Sequence, residues 1–327
     1  MKHVIFYLAI MGMFSVSVVV DPAWSQGIPF SALTGDELQT TFSVETIGGS
    51  LHTEASNERV RQMRGELFLP LHRGERQSYG IHLRASRLLL DEAKTTSAGP
   101  SGTVPRDLGA AAVGPYARFR FASGDMLTID AQVGRSGIRL GSGETATTVA
   151  ANLIWARNQE IKEGRWIYLL SYSNSRSSLN GIPLPGFAYA KAVERESVKG
   201  FWAVGAPFFF VMLRGQPFSF STLLTPFTSF VETGYSFVGP FGAFLRFGWQ
   251  PQGFKLNGGP AERLLYEEFR TQLGLRGPIS RKMLATLGVS YSDGRRLVWG
   301  ESLTKATSYE SRLGAETALF FNLAGRF

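Results

Sequence analysis

The chain has 327 residues, no Cys, 37 Gly and 25 Phe, with a formal charge of +8 and a mean hydropathy of −0.02. The absence of Cys excludes disulfides, thiolate metal sites and anchoring through a lipid-modified cysteine. Abundant Gly and aromatics at a hydropathy near zero suit a surface whose residues alternate between an apolar and a polar side.

The first element is a short basic start, Met1-Lys2-His3, followed by an uncharged apolar run from Val4 to Val20. Ala23 and Ser25 then supply the small-x-small spacing of a signal-peptidase site, so residues 1-25 are predicted to be a cleaved secretory signal and 26-327 a single domain. Cleavage removes Lys2 and Asp21 together, which leaves the charge at +8. No later segment resembles an apolar span of about twenty residues, so no transmembrane helix is expected.

A period of two then recurs along the chain. A first strand is expected near Leu38 to Thr46. Met63, Gly65, Leu67, Leu69 and Leu71 alternate with Gln62, Arg64, Glu66, Phe68 and Pro70. Tyr79, Ile81, Leu83 and Ala85 oppose Gly80, His82, Arg84 and Ser86. The pattern continues through Ala117-Phe121, Leu127-Val133, Val149-Trp155, Phe241-Trp249 and Met283-Tyr291. It ends in Glu316-Phe327, where Leu319, Phe321, Leu323 and Phe327 share one side and Glu316, Asn322 and Arg326 the other. Successive strand side chains point to opposite faces, so each segment reads as a two-faced strand.

The connections alternate in length. Short ones fall at 72-76, 122-125, 158-164, 239-240 and 277-280, and long polar ones at 91-107, 134-144, 250-261 and 293-308. Short turns at one end and long loops at the other are the plan of an outer-membrane barrel, with turns periplasmic and loops outside. Trp155, Trp166, Phe119, Phe121, Phe237, Phe241 and Phe327 gather at the short-turn end, as an aromatic girdle would. In hydrocarbon every backbone polar group must be paired, and a sheet achieves that only by closing on itself. The predicted fold is therefore an all-β, antiparallel, up-and-down transmembrane barrel. Seven strands are readable before residue 175 and five after residue 227. Phe201 to Leu213 and Phe218 to Leu224 would add two, giving 14 strands, with 12 as the alternative.

The final strand resembles the C-terminal signal of Gram-negative outer-membrane β-barrels, which end in Phe after alternate apolar residues. Phe327, Leu323, Phe321 and Leu319 match that pattern, and Gly325 departs from it where a bulky residue is usual. The resemblance implies recognition by the barrel-assembly machinery and residence in the outer membrane beside lipid and lipopolysaccharide. Segments 182-189 (IPLPGFAY) and 203-210 (AVGAPFFF) are similar to an uncharacterised barrel family of the domain-of-unknown-function type, which brings no activity with it.

No chemistry-bearing constellation is apparent. His82 and Ser86 share a face four residues apart, roughly 13 Å along a strand, too far for a Ser-His pair. His82 is read as a hydrogen-bonding residue of the lumen, and no cofactor, metal site, enzymatic activity or nucleic-acid partner is expected. The lumen-lining candidates are Arg64, Arg84, Arg118, Arg120, Arg246, Arg270, Arg276 and Arg312, with Glu66, Asp130, Glu232, Glu268, Glu316 and His82. Glu268 with Arg270, and Glu316 with Arg312, are expected neighbours. Such an interior can line an anion-favouring path, or its charges can pair and fill a narrow barrel. The first alternative makes the protein a passive pore or facilitator for small polar or anionic solutes. The second makes it a non-conducting structural or surface-binding barrel acting through loops 91-107 and 174-186. Arg59, Arg61 and Arg295 fall at the outer rim, where they could meet lipopolysaccharide phosphates.

Overall fold

The computed structural model describes residues 40-53, 59-91, 105-140, 145-157, 163-177, 179-256, 263-302 and 305-327. The predicted signal at 1-25 and most of loop 91-107 lie outside these residues. All the regular structure among them is β, in eighteen strand segments: β1 (Thr41–Thr53), β2 (Arg59–Arg73), β3 (Gln77–Asp91), β4 (Asp107–Arg120), β5 (Met126–Ile138), β6 (Thr145–Ala156), β7 (Arg165–Ser173), β8 (Leu184–Glu194), β9 (Val198–Ala206), β10 (Phe209–Gly215), β11 (Phe218–Leu224), β12 (Ser229–Val238), β13 (Phe241–Trp249), β14 (Gln252–Lys255), β15 (Arg263–Ser280), β16 (Met283–Ser302), β17 (Lys305–Arg312) and β18 (Glu316–Arg326).

Apart from β13 with β14 and β17 with β18, consecutive strands pair antiparallel, and β1 pairs with both β2 and β18, so the sheet closes into a barrel. Both β13 and β14 pair with β15, and both β17 and β18 pair with β16. Each couple is one staff of the barrel interrupted midway. The eighteen segments therefore make 16 staves. Pro251, which has no amide N–H to offer the ladder, falls at the first interruption.

Sixteen staves correct the expected 14. The segment between residues 175 and 227 holds four strands, where two were expected. Phe201 to Leu213 is not one strand but the halves of β9 and β10, reversed at Pro207-Phe208, where the Gly205 N–H donates to the Phe208 carbonyl at 3.0 Å. Strand β8 begins inside the stretch expected to be loop 174-186. Strand β11 coincides with the expected Phe218 to Leu224, whereas β8, β9 and β10 escaped the two-residue period because their inward faces are largely as apolar as their outward ones.

The seam reproduces the expected closure. Thr41 lies opposite Arg326 and Phe42 opposite Gly325, and the Phe327 N–H donates to the Thr40 carbonyl at 2.8 Å. Gly325, the departure from the C-terminal pattern, has a packing reason. The Phe42 ring lies where a Gly325 side chain would begin, and it stacks on Phe327 with centroids 5.9 Å apart. The bulk that the last strand lacks is supplied by the first.

Outward residues form an apolar belt. On β3 it reads Tyr79, Ile81, Leu83, Ala85; on neighbouring strands Leu67, Val113, Ile129, Val149 and Leu153 are all more than a third exposed. Trp155, Trp166, Phe119, Phe121, Tyr235 and Phe237 are exposed toward its short-turn end, the side where Phe327 sits. A closed barrel with an apolar exterior and charged residues within is the arrangement by which β-structure crosses a membrane.

Candidate functional site

The interior of β1 to β6, together with β13, β15 and β18, carries a polar network, interrupted by the buried cluster of Ile47, Phe244, Ala318 and Phe320. His82 on β3 is held from both sides: Nε2 is 2.5 Å from Glu66 Oε1 on β2, and Nδ1 is 3.3 Å from Asp130 Oδ1 on β5. Gln132 Nε2 also approaches Nδ1 at 2.7 Å. Arg84 bridges the same carboxylates, at 3.4 Å from Glu66 and 3.5 Å from Asp130. The chain of contacts runs on through Asn152, which donates to Asp130 at 3.4 Å, and Ser171, which donates to Asn152 at 2.5 Å. It ends on Arg176 in the β7–β8 connection, whose guanidinium donates to Ser171 Oγ at 2.6 Å. Burial pushes the Arg176 guanidinium down to about 10, and the neighbouring Tyr172 partly opposes that shift.

A second group is centred on Arg270 of β15. It pairs with Glu268 on its own strand and with Glu45 on β1 at 3.4 Å, and it donates to Gln250 at 3.2 Å. Gln62 on β2 donates to Glu268 at 2.8 Å, and Arg64 donates to Gln250 at 2.9 Å and to Gln62 at 3.0 Å. Tyr266 caps the other oxygen of Glu268 at 2.9 Å. Because β2 and β15 are several staves apart, these are bonds across the interior, and they draw the two walls together. Farther round, Glu232 takes Arg276 at 3.0 Å and Arg246 at 3.8 Å. Arg246 lies over the Phe230 ring and Arg276 over Phe244. Buried charges require such partners, since an unpaired ion in a low-dielectric interior carries a large desolvation penalty.

Arg64, Glu66, His82, Arg84, Arg118, Asp130, Glu232, Arg246, Glu268, Arg270, Arg276 and Glu316 all belong to the inward set. Arg118 is buried beside Tyr116, donating to its hydroxyl at 3.3 Å. Two candidates do not belong. Arg120 is exposed at the short-turn end of β4. Arg312 is 85% exposed and pairs with Glu310 at 2.9 Å, not with Glu316. Between β17 and β18 the irregular stretch 313-315 shifts the alternation, so Ser311 and Leu313 face inward and Arg312 outward. Glu316 takes Arg295 instead, and its other contact is the Val60 N–H at 3.0 Å. Arg295, expected at the outer rim, is thus fully buried.

The largest feature missed by the sequence is a flap. At the level of Pro251 and the bulge between Glu267 and Phe269, β14 and the upper part of β15 bend inward. Strand β14 then lies against β4, β5 and β6, diametrically opposite its own staff. The Lys255 N–H donates to Ser136 Oγ at 3.1 Å, Lys255 Nζ to the Thr147 carbonyl at 3.3 Å, and Gln252 to Gln62 at 3.2 Å. Arg263 donates to the Arg176 carbonyl, and Gly253 leaves room for the Ser175 carbonyl, which a Cβ would approach to 2.8 Å. Both faces of Arg263 to Glu268 are buried. Phe254, Leu264 and Tyr266 pack with Leu297 and Trp299 against Val60, Leu88, Leu90 and Leu108 of the facing wall. Burial of such side chains stabilises by roughly 1.5–3 kcal/mol each, so lifting the flap costs many times the thermal energy. The one sequence signal for the flap was the loss of alternation in RLLYEE (263-268).

Beneath the flap is a cavity of about 80 Å³, lined by Arg64, Glu66, Arg84, Gln132, Ser136 and Gln252 among others. A water needs about 10–15 Å³ of such space, so the cavity holds a handful of waters. Among the described residues no group of three metal-ligating side chains is present.

No protein-family model matches the chain, and no curated protein matches it. Among solved structures it is similar to OprB of Pseudomonas putida, at 11% identity over 95% of this chain and 98% of that one, with a TM-score of 0.37. It is also similar to the Pseudomonas putida toluene transporter TodX, at 10% identity over 94% and 93%, with a TM-score of 0.37. The β domain of the Bordetella autotransporter BrkA aligns at 11% identity over 89% and 100%, with a TM-score of 0.31. The apolar exterior, the closed ladder and the charged interior make this chain a β-barrel of the outer-membrane type.

Proposed function

We propose that this outer-membrane barrel is a normally shut facilitator, which passes small polar solutes only when the flap lifts. The carrying observation is the position of β14, fastened by hydrogen bonds and an apolar cluster to the wall opposite its own staff. A 16-staved barrel encloses enough width for an aqueous path once that segment is out of the way. With Arg176, Arg214, Arg263 and Arg295 included, interior arginines are more numerous than interior carboxylates, which favours anions over cations on such a path. Any route would pass the cavity floored by Glu66 and Arg84, because the opposite wall is lined by Phe201, Phe210, Leu223 and Phe230.

The test is conductance in planar bilayers. Wild-type protein should give rare, brief steps, and Phe254→Asp with Leu264→Asp, which places charges in the flap's apolar seat, should give frequent ones with anion preference. Steady wide openings of the wild type would sink this proposal. Silence of the folded double variant would favour the second reading, a barrel that conducts nothing. That reading draws on the cross-wall pairing of Arg270 with Glu45 and Glu268.

A further inference from the structure

The outer surface of β2 to β5 carries a feature unrelated to the interior. Three outward-facing arginines lie close together in the register: Arg61 on β2, opposite Leu89; Arg87 on β3; and Arg135 on β5. All three are exposed. Arg87 lies opposite Met63 in the register, one residue pair above Gly65–Ala85, and Arg135 lies opposite Ala111 in the row of Ala85. On β3 the outward sequence climbs from Tyr79 through Ile81, Leu83 and Ala85 before reaching Arg87. Eight residues at about 3.3 Å each, on a tilted strand, take the chain across most of a belt about 25 Å tall. The arginines therefore stand where the apolar belt ends on the loop side, at the height of outer-leaflet head groups.

Directly below them is a groove of about 870 Å³. Its floor is Gly65, Ala85 and Ala111, and its walls are Val44, Leu67, Leu83, Val113 and Val133. On β16 and β17, by contrast, Glu310 lies 3.8 Å from Arg296 and 2.9 Å from Arg312. There base and acid alternate; over the groove, the Arg87–Asp107 pair at 2.7 Å is flanked by two further arginines.

We infer that this face holds an acyl chain of a phosphorylated outer-leaflet glycolipid, of the lipopolysaccharide class, in the groove and its phosphates on Arg61, Arg87 and Arg135. Arginine is suited to this role because its planar fork matches phosphate oxygens two at a time. The groove supplies what a basic rim alone lacks, an apolar recess immediately beneath the phosphate level. The site is independent of whether the barrel conducts.

The test is native mass spectrometry of the detergent-solubilised full chain with purified lipopolysaccharide, its enzymatically dephosphorylated form, and phosphatidylglycerol. Wild type should retain the phosphorylated glycolipid preferentially. Replacing three basic groups near a phosphate layer should weaken retention on the order of a hundredfold, so Arg61→Gln, Arg87→Gln and Arg135→Gln together should nearly abolish it. Ala85→Leu, which fills the groove and leaves every charge, should cost on the order of tenfold. Folding of each variant is read from its mobility shift between unboiled and boiled samples. Wild-type retention by the folded triple variant, or equal retention of phosphatidylglycerol or of the dephosphorylated form, overturns the inference. Should the triple variant fail to fold, unchanged retention by Ala85→Leu does so alone.

Discussion

Two arcs of the barrel are built on different terms. Strands β2 to β6 run for 12 to 15 residues and turn arginines, carboxylates and amides inward. Strands β9 to β11 run for 7 to 9 residues and turn Phe201, Ala203, Phe210 and Leu223 inward. A spanning strand needs about 9–11 residues, so the second arc is only just tall enough, or shorter than the layer it crosses. Its interior has no height in which to stack a polar network and is closed by interdigitated rings and alanines. The long arc has that height, so its charges can be matched in pairs and reached from the mouth by the flap. The comparison teaches that strand length and lumen polarity go together here: the connected polar network lies on one side of the barrel, and the other side is mainly packing, with Arg214 of β10 beside Glu232 and Arg276.

The most damaging change should strike the network that ties β15 and β1 to the long arc. Removing Arg270 leaves Glu268 and Glu45 facing each other in a dry interior, and breaking one side of a buried pair costs about 3–5 kcal/mol. Arg270→Met should lower the urea midpoint of the refolded barrel correspondingly. An unchanged midpoint would mean that the pair is hydrated and the interior open. On the short arc, Phe210→Ala removes a buried ring in contact with Phe201, whose centroid lies 5.4 Å away. The expected cost is about 3 kcal/mol from lost transfer and the cavity left behind. Anion preference in the flap-opened double variant should not change, since that wall carries no solute; a changed preference would erase the distinction between the arcs.

The sequence made the long arc legible and the short arc opaque, for one physical reason. Where one face meets lipid and the other meets charge, as from Gln62 to Leu71, the two-residue period stands out. Where lipid lies outside and a dry cluster inside, as from Phe201 to Leu213, both faces are apolar and the period vanishes. The turn at Pro207-Phe208 was therefore hidden within what read as a single strand. Most of the inward charges could be placed from alternation alone. Their partners could not, because Gln62 with Glu268 or Arg64 with Gln250 are contacts across a closed interior that no local pattern encodes. Arg312 and Arg295 exchanged places for a related reason. The stretch 313-315 shifts the phase of β17, and the bulge at Gly294 and Arg295 shifts that of the upper part of β16.

A smaller effect is expected at the seam between the arcs' common ends. Gly325→Val would drive a branched side chain into the Phe42 ring, and overpacking of this kind costs about 1–3 kcal/mol. Because Phe42 also stacks on Phe327, the damage should appear as slower acquisition of heat-modifiable mobility during refolding, with Phe42→Ala in the Gly325→Val background restoring part of the rate. If the single variant folds at the wild-type rate, the first strand does not supply the bulk that the last one lacks.

The smallest effect belongs to Arg312. Its side chain is 85% exposed and its partner Glu310 is itself partly exposed, so solvent screens the pair. Arg312→Ala should change the unfolding free energy by no more than about 0.5 kcal/mol and leave the conductance of the flap-opened variant untouched. Alternation carried without interruption from β18 would instead put this arginine in the polar interior beside Glu316, where its removal would cost several times more. The size of that one number therefore distinguishes an unbroken last staff from the interrupted one, and with it whether Glu316 belongs to Arg312 or to Arg295.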